Sequence, residues 1–431
     1  MHPPRAWAAL LAGSIAAAAV AAEPAASAPE AEHWIGTWAA APQPAFAGEV
    51  PHWRDQTLRL VVHASAGGRR VRVRIANTYG DAPLVVGGAH LARRASGADI
   101  VAESDRVLRF GGAASVTIAP GASALSDAAD LALPPLSDLA VSLYLPGPTA
   151  ATTSHALALQ TSYLSRPGDA SGATRFPVAA ELDAWPFVTG VDVVPAEAKA
   201  STVVVFGDSF VDGDGSTPDA NRRFPDVLAA RLQAAGATIG VLDEGLIGNR
   251  LLRASPPAPR NPFGAAFGEA GVERFERDVL AQAGVAAVVL RIGTNDLGFA
   301  GGIAPSSERP TLAELAAGFR GLAERAHRRG LRVVAMTCPP FEEAAPVPGY
   351  WAADKEPLRR QFNTWLLADG AFDAVVDIDG LLRDPSHPSR LAPAFDSGDH
   401  LHPNDAGYAA IAKAIPLGVL GVAMPANQLR R

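Results

Sequence analysis

The chain has 431 residues, of which 48% are hydrophobic and 19% are charged, and its formal net charge is −7. This composition is typical of a globular protein with a large core and differs from that of a disordered chain. Lysine and arginine form no long cluster, which argues against nucleic acid as a partner, because nucleic acids bind to concentrated positive surfaces. The length allows about two or three domains.

The first residues predict export. Arg5 precedes the apolar segment 7–22, which is rich in small residues and resembles the hydrophobic part of a signal peptide. We expect residues 1–22 to be a signal peptide, with cleavage after Ala22 or as late as Ala28. The alternative, an uncleaved anchor, fits less well because the segment is shorter than the about 20 residues that span a bilayer. The sequence therefore predicts a secreted or periplasmic protein without stable membrane insertion.

Residues 34–195 predict an accessory β domain. Segments 57–64 and 70–77 alternate apolar and polar residues, and the residues Ser65-Ala66-Gly67-Gly68 between them predict a hairpin. Shorter strand candidates follow at 106–110, 115–120 and 139–147. Long amphipathic helices are not predicted here, so the pattern indicates an all-β sandwich or a jelly-roll-like domain.

From residue 200 onward, apolar strands alternate with amphipathic helices. The predicted strands are 201–206, 237–243, 286–293, 331–337 and 372–378. The predicted helices are 224–236, 272–284, 311–330 and 356–370, each closed by a glycine in a left-handed cap (Gly236, Gly284, Gly330 and Gly370). Apolar strands separated by helices predict a central parallel sheet covered on both faces, which is a flavodoxin-like three-layer α/β sandwich. We expect this domain to span 200–420.

Four polar motifs follow strands of this predicted sheet. They are Ser209, Gly248-Asn249, the segment 293–296 and the segment 396–408. Each motif alone fits an ordinary turn, a capping carboxylate or a surface histidine. Ligands of parallel sheets bind outside the carboxyl ends of the strands, so we expect the four motifs to meet at one edge.

Together the motifs contain the parts that acyl transfer needs. A serine such as Ser209 becomes a nucleophile only when a neighbouring base accepts its proton. Asp399 and His402 are three residues apart and can meet locally, so that the carboxylate fixes the imidazole tautomer. The N–H groups of Ser209 and Gly248 and the amide of Asn295 are candidate donors to an oxyanion. Glycine at 248 would let the backbone approach the substrate without a Cβ atom.

The ordered motifs FGDSF, GLIGN, GTND and DHLHP resemble the four sequence blocks of the SGNH (GDSL-type) hydrolases over most of 200–415. This resemblance implies that Ser209 is the nucleophile, that His402 is the general base and that Asp399 is its partner. It also implies an oxyanion hole formed by Ser209, Gly248 and Asn295, with no cofactor and no metal.

The segment HWIGTWAAAP and the β-rich half resemble the front domain of one bacterial branch of exported SGNH esterases. Two positions depart from the family pattern. Phe210-Val211 stand where members often have Ile-Thr, and Asp243 stands where the second block often begins with Asn. These departures leave the hydrogen bonding around Ser209 open. The Asp212–Gly215 segment predicts a turn and not a calcium site, because the rest of a calcium-binding loop is missing.

The resemblance and the predicted export imply a secreted serine esterase that acts on a small-molecule or polysaccharide ester. The expected substrate is a short acyl ester of a carbohydrate, with acetyl as the acyl group. A lipase or lysophospholipase of the same mechanism is the alternative, and the lack of a long apolar flap argues mildly against it. A carbohydrate-binding protein with an inactive hydrolase half is the other alternative, against which the intact set of polar residues argues. The sequence leaves the oligomeric state open.

Overall fold

The structure is a computed structural model that describes residue 1, residues 32–48 and residues 50–422. The predicted signal peptide at 1–22 and the later cleavage position at Ala28 lie outside the described residues, apart from residue 1. The described residues from His33 onward form one compact unit. Within the described part of the chain, no helix has the length and apolar character that a membrane crossing requires.

We refer to residues 34–195 as the β region and to residues 200–420 as the α/β region. Backbone groups join them: Gly36 N donates to Thr202 Oγ1 at 2.9 Å, and Val241 N donates to Ser65 Oγ at 2.8 Å. The two regions approach so closely that a Cβ atom on Gly240 would lie 1.8 Å from the carbonyl oxygen of Gly36. That each region is a domain of its own stays a prediction.

The strands of the β region are short and follow one another closely. In chain order they are β1 (Ile35–Ala39), β2 (Gln43–Pro44), β3 (His52–Trp53), β4 (Gln56–Ala64), β5 (Gly68–Ala76), β6 (Leu84–Val86), β7 (Gly88–Ser96), β8 (Asp99–Ile100), β9 (Arg106–Val107), β10 (Val116–Ile118), β11 (Ser123–Leu125), β12 (Ala129–Leu133), β13 (Ser137–Leu145), β14 (Thr149–Ala150), β15 (Thr153–Ser154), β16 (Ser162–Ser165), β17 (Val178–Leu182) and β18 (Val188–Val194). A 3-10 turn at Ala102–Ser104 separates β8 from β9.

The longer strands form two antiparallel sheets. One sheet has the order β1-β18-β5-β11, with β12 also paired to β5, and the other has the order β17-β16-β4-β13-β7-β8, with β9 also paired to β7. Alternate residues of both sheets enter one shared core, such as Leu58 and Leu60 of β4 and Val71 and Val73 of β5. The β region is therefore a sandwich whose inner faces supply its core.

The predicted hairpin between 57–64 and 70–77 is wrong, because β4 and β5 belong to different sheets. The chain crosses between the layers at Ser65 and Ala66, where Thr37 holds it: Ser65 N donates to the carbonyl oxygen of Thr37, and Ala66 N donates to Thr37 Oγ1, both at 2.9 Å. Strand β4 pairs instead with β13. Alternation of apolar and polar residues predicts an inner face, but both layers of a sandwich have one, so it does not identify the partner strand.

The α/β region contains five strands and eight α-helices among its described residues. The strands are β19 (Ser201–Gly207), β20 (Ile239–Glu244), β21 (Val285–Arg291), β22 (Arg332–Met336) and β23 (Ala374–Val376). The helices are α1 (Ser209–Asp212), α2 (Phe224–Ala234), α3 (Gly271–Phe275), α4 (Thr294–Phe299), α5 (Leu312–Arg328), α6 (Glu356–Ala368), α7 (Ile378–Leu382) and α8 (Asp405–Ala414).

The five strands form one parallel sheet in the order β20-β19-β21-β22-β23. Both faces of the sheet are buried, since Val204 and Phe206 of β19 pack with residues of α3, α5 and α6, whereas Val203 and Val205 pack with residues of α2, α7 and α8. This explains the continuous apolar character of the strands. It also leaves polar chemistry to the loops at the strand ends.

The helix ends differ in part from their prediction. The helix predicted at 272–284 is irregular, because α3 passes into a π-helical turn at Glu276–Leu280. Left-handed backbone closes the helical segments at Gly236, Gly284 and Gly330. The predicted cap is wrong for Gly370, because α6 already ends before Asp369, which is extended and whose carboxylate accepts a hydrogen bond from the N–H of Ala371 at 3.0 Å.

Candidate active site

Ser209 lies two residues after the end of β19 and is the first residue of α1. Asp208 caps this short helix, since its Oδ1 accepts a hydrogen bond from the N–H of Phe210 at 3.1 Å. Arg291 Nη1 in turn lies 3.3 Å from Asp208 Oδ2. Strand, cap and helix together hold the Ser209 hydroxyl at the carboxyl edge of the sheet, where the residue is 7% exposed.

His402 connects Ser209 to Asp399. Nε2 of His402 lies 2.8 Å from Ser209 Oγ, and Nδ1 lies 2.5 Å from Asp399 Oδ2. The other carboxylate oxygen of Asp399 accepts hydrogen bonds from the backbone N–H groups of Leu401 and His402 at 2.9 and 2.8 Å. A turn of four residues thus fixes the carboxylate and the imidazole together, and the neutral imidazole can accept the Ser209 proton at Nε2 while Nδ1–H donates to Asp399.

A second carboxylate, that of Asp214, also faces this imidazole. Its Oδ2 lies 3.7 Å from Nδ1 of His402, beyond hydrogen-bond distance but close enough for a charge interaction. The loop that carries it is anchored to Ser209, because Asp214 N donates to the carbonyl oxygen of Ser209 at 3.0 Å. Burial raises the pKa of Asp214. The segment Asp212–Gly215, predicted only as a turn, therefore contributes a side chain to the site.

These charges set the ionisation of the imidazole. Burial alone lowers the pKa of His402, but the hydrogen bond with Asp399 and the charges of Asp214 and Asp399 outweigh it, so the pKa is raised above 6.5. Partial burial alone would raise the pKa of Asp399, but its hydrogen bonds with His402 hold it well below its usual range. Asp399 is therefore ionised whenever His402 is neutral and able to accept a proton.

Two backbone donors are available next to the Ser209 hydroxyl. In the described part of the chain, the N–H groups of Ser209 and Gly248 donate to no protein acceptor. Gly248 has a φ of +70°, and a Cβ atom there would lie 2.2 Å from the ring of Phe267. From the sequence, glycine is expected at 248 because substrate would approach the backbone there. The structure gives two further reasons, which are the left-handed backbone and the close contact with Phe267.

The third candidate donor, the amide of Asn295, has a fixed orientation. Tyr350 OH donates to Asn295 Oδ1 at 2.7 Å, so the NH₂ group points the other way. One of its two hydrogens goes to the carbonyl oxygen of Asn249 at 3.0 Å, which leaves the second for a ligand. Asn295 and Tyr350 are both buried, at 4% and 1% exposure. Tyr350 is a positioning residue that the sequence did not indicate.

Two buried charged side chains hold the loop that carries Gly248. Arg274 donates to Asn249 Oδ1 at 3.0 Å and to the carbonyl oxygen of Gly207 at 2.6 Å, and so connects this loop to the strand end before the serine. Asp296 accepts hydrogen bonds from two backbone N–H groups of the same loop, at 2.6 and 3.0 Å. The loop is therefore fixed on the C-terminal side of Gly248 before any ligand binds.

A histidine from the β region supports the same loop. His155 Nε2 lies 2.8 Å from Asp212 Oδ1, and Nδ1 lies 2.9 Å from the carbonyl oxygen of Ala41. Because both partners are acceptors, both ring nitrogens carry hydrogen and His155 is positively charged. Burial alone lowers the pKa of His155, but the charge of Asp212 outweighs it. The second oxygen of Asp212 accepts from the N–H of Ile247 at 2.8 Å, so this buried ion pair ties the β region to α1 and to the loop that carries Gly248.

The residues that depart from the family pattern do not enter the site. Phe210 and Val211 are buried in the core on one face of the sheet. Asp243 accepts a hydrogen bond from the N–H of Gly245 at 2.9 Å, and burial raises its pKa to about 7. His400, two residues before the proposed base, pairs with Asp396 at 2.7 Å at the surface.

Four of the five predicted site residues line one cavity of about 240 Å³, and Asp399 lies behind His402. The four are Ser209, Gly248, Asn295 and His402. Most of the remaining wall is apolar and includes Phe263, Phe267, Phe299, Val347 and Leu401. Phe46, which belongs to the β region, completes this wall. The cavity thus combines a polar end, where the reactive groups meet, with an apolar body.

The residues that support the polar groups of the cavity were not predicted from the sequence. Asp214 had a signal, since it lies five residues after Ser209 in a turn rich in aspartate. Tyr350, Arg274 and His155 had none, because each bonds to a partner more than 50 residues away along the chain. Their role becomes visible only once the chain is folded.

Residues 205–410 match the GDSL-like lipase/acylhydrolase family model. No curated protein resembles the chain closely enough to count as a match.

Similar solved structures include three bacterial proteins. A putative arylesterase from Agrobacterium tumefaciens has 19% identity, covers 52% of this chain and 100% of its own, and has a TM-score of 0.39. The aryl esterase of M. smegmatis has 19% identity, coverage of 52% and 100%, and a TM-score of 0.38. A carbohydrate acetylesterase family member from Sinorhizobium meliloti has 18% identity, coverage of 51% and 97%, and a TM-score of 0.37. With residues 205–410 matched from β19 to α8, this part of the chain belongs to the GDSL-like lipase/acylhydrolase family, and the protein is a carboxylic ester hydrolase.

Proposed function

We propose that Ser209 attacks the carbonyl carbon of the ester and forms an acyl-enzyme. As the bond from Oγ to carbon forms, the hydroxyl proton moves to Nε2 of His402, and the carbonyl electron pair moves onto oxygen. Collapse of this intermediate expels the alcohol, which takes the proton from His402 and leaves the acyl group on Ser209. Water then attacks with the same base and releases the carboxylic acid.

The single observation that supports this proposal is the hydrogen-bonded chain from Ser209 through His402 to Asp399, with distances of 2.8 and 2.5 Å. Asp399 holds the imidazole in the tautomer that can accept the proton, and it stabilises the imidazolium that forms. The oxyanion is placed among the N–H groups of Ser209 and Gly248 and the free amide hydrogen of Asn295. Donors that are fixed before reaction stabilise developing charge without reorganisation.

Two classes of ester are candidates for the substrate. The resemblance to exported esterases supports a secreted or periplasmic enzyme that removes acetyl groups from carbohydrates. The apolar body of the cavity supports the second candidate, an ester of the lipase or lysophospholipase type. Release of acetate from acetylated xylan, pectin and small sugars, compared with release of fatty acid from lysophospholipid, separates the two.

The mechanism is tested by Ser209→Ala together with an active-site label. We expect the variant to fold, as measured by its circular dichroism and melting temperature, and to lose hydrolysis of p-nitrophenyl butyrate by about 10⁴-fold or more in kcat. A fluorophosphonate should label the peptide that contains Ser209 in the wild type. The exposed Ser307 provides the matched control, because Ser307→Ala should change neither activity nor labelling. A folded wild-type protein that neither hydrolyses esters nor takes the label supports the inactive binding protein instead.

A further inference from the structure

The catalytic cavity is larger and more apolar than an acetyl group requires. An apolar cavity of about 150 Å³ already holds a benzene ring, whereas this one has about 240 Å³. Four phenylalanines line it: Phe46, Phe263, Phe267 and Phe299. The rings of Phe267 and Phe299 stack with centroids 5.3 Å apart, so part of the wall is a continuous aromatic surface. An aromatic or medium-length alkyl group would remove this surface from water, whereas acetyl would leave most of it uncovered.

Among the described residues that line the catalytic cavity, Phe46 is the one that comes from the β region. Its ring stands edge-on to Phe263 and Phe267, with centroids 6.0 and 6.5 Å away. The same residue lines a second cavity of about 380 Å³, whose described lining belongs entirely to the β region and is mostly apolar, with Pro51, Trp53 and Leu182 among its walls. Phe46 therefore lies where the catalytic cavity and the larger one adjoin.

We infer that the acyl group of the substrate is apolar, that it binds among these phenylalanines, and that Phe46 sets the limit of its length. This inference rests on the proposed function, because it requires Ser209 to carry the acyl group at the polar end of the cavity. An acyl chain that outgrows the catalytic cavity meets the ring of Phe46 and cannot enter the second cavity. The β region thereby determines which esters the α/β region hydrolyses.

The experiment is a series of p-nitrophenyl esters from acetate through butyrate, hexanoate and octanoate to laurate, which keeps the leaving group constant. In the wild type, kcat/KM should rise by about fourfold for each methylene that is buried, which corresponds to about 0.8 kcal/mol. It should fall once the chain exceeds the cavity. Phe46→Ala should move the acyl length with the highest kcat/KM to longer esters, and Phe46→Trp should move it to shorter ones. The two variants are therefore expected to shift this length in opposite directions in the same assay.

A matched control uses Ala184, which lines the second cavity but not the catalytic one. Ala184→Phe alone should leave the acyl optimum of the wild type unchanged, because Phe46 already closes off the second cavity. In the Phe46→Ala background the same substitution should bring the optimum back toward the wild-type length. This restoration separates entry into the second cavity from a general loosening of the site.

The outcomes distinguish the inference from the proposed function. The inference is overturned if the wild type hydrolyses the acetate ester best, or if the optimal acyl length is the same in both Phe46 variants as in the wild type. Hydrolysis that depends on Ser209 would remain in either case, so the proposed function would stand. Equal turnover by the wild type and Ser209→Ala overturns the proposed function itself. Phe46 is only partly buried, so both variants should fold, and melting temperatures check this. Should Phe46→Ala unfold, the shift in Phe46→Trp decides the matter.

Discussion

In the α/β region, the polar residues of the cavity lie in loops at the carboxyl ends of parallel strands, in the turn after α1 or in the loop before α8. In the β region, the residues that reach the site, Phe46 and His155, lie in connections between short strands. The first set touches the reacting atoms of the proposed mechanism. The second set bounds the cavity and holds the loop and helix on which the first set stands. Chemistry and its support are thus divided between the two regions of one compact unit.

This difference follows from how each residue finds its partner. Asp399 and His402 meet within one turn, so their bond depends on local backbone geometry. His155 reaches Asp212 across 57 residues and across the boundary between the regions, so its bond depends on the whole fold. We therefore expect substitutions among the site residues of the α/β region to lower kcat most. Substitutions of the supporting residues of the β region should lower kcat less but should lower the free energy of unfolding more.

The largest loss in this comparison should come from Asp399→Asn. The amide keeps the shape of the carboxylate but favours the wrong imidazole tautomer, so kcat for p-nitrophenyl butyrate should fall by about 10⁴-fold. Asp214→Asn is the matched control, since its carboxylate lies 3.7 Å from the same nitrogen and forms no hydrogen bond with it. This control should lose less than about tenfold. Equal losses of kcat in both variants would contradict the prediction, because Asp399 alone would then not orient the imidazole.

A smaller loss is expected from Asn295→Ala, which removes one oxyanion donor. Removal of such a donor costs about 10²–10³ in kcat. Tyr350→Phe leaves Asn295 in place but removes the hydrogen bond that orients its amide, worth about 1 kcal/mol or about fivefold in kcat. KM should stay nearly constant in both variants, because the oxyanion exists only in the transition state. A change confined to KM would indicate that Asn295 binds substrate and does not stabilise the oxyanion.

The β region is tested by His155→Ala. This substitution leaves the carboxylate of Asp212 buried without its partner, and breaking a buried ion pair costs about 3–5 kcal/mol in the free energy of unfolding. Through Ile247, the loop that carries Gly248 should shift, and kcat should fall by about tenfold where the enzyme remains folded. Denaturant unfolding and initial rates at low temperature measure the two effects.

His90 provides the control for that variant. It pairs with Asp105 at 3.0 Å inside the β region, and both side chains are partly exposed. His90→Ala should cost less than about 1 kcal/mol in stability and leave kcat unchanged, because exposed pairs contribute little. A kcat that falls equally in both histidine variants would mean that the β region acts through its stability alone.

The difference between local and distant partners also determines which residues the sequence could predict. The strands at 201–206 and 286–293 were predictable because both faces of a parallel sheet are buried, which leaves a continuous apolar run. Ser209, Gly248, Asn295 and the Asp399–His402 pair were predictable as candidates because each follows a strand or lies in a short motif. Roles for Tyr350 and His155 were not predictable, because a lone tyrosine or histidine in a sequence carries no sign of a partner more than 50 residues away.

The β region shows the same limit at the level of the fold. Alternation correctly predicted strands near 57–64 and 70–77 but not that a sandwich would place them in separate sheets. The connection between them is fixed by Thr37, which precedes it by 28 residues. Phe46 follows strand β2, which has only two residues and no periodicity to detect. Long-range pairing, not local propensity, determined each of these features.

The smallest expected effect, a shift of the acid limb of activity, tests how the two carboxylates divide the control of His402. In the proposed mechanism the neutral imidazole is the base, so kcat/KM should rise with pH, and the midpoint of this rise should lie above 6.5 because the pKa of His402 is raised. Asp399→Asn removes the hydrogen bond and the charge that raise this pKa, so the residual activity should have its midpoint at lower pH. Asp214→Asn removes only a charge and should shift the midpoint less in the same direction. Profiles of kcat/KM between about pH 4 and pH 9 measure all three midpoints, and a wild-type midpoint below 6.5 would show that burial, rather than the carboxylates, dominates the imidazole.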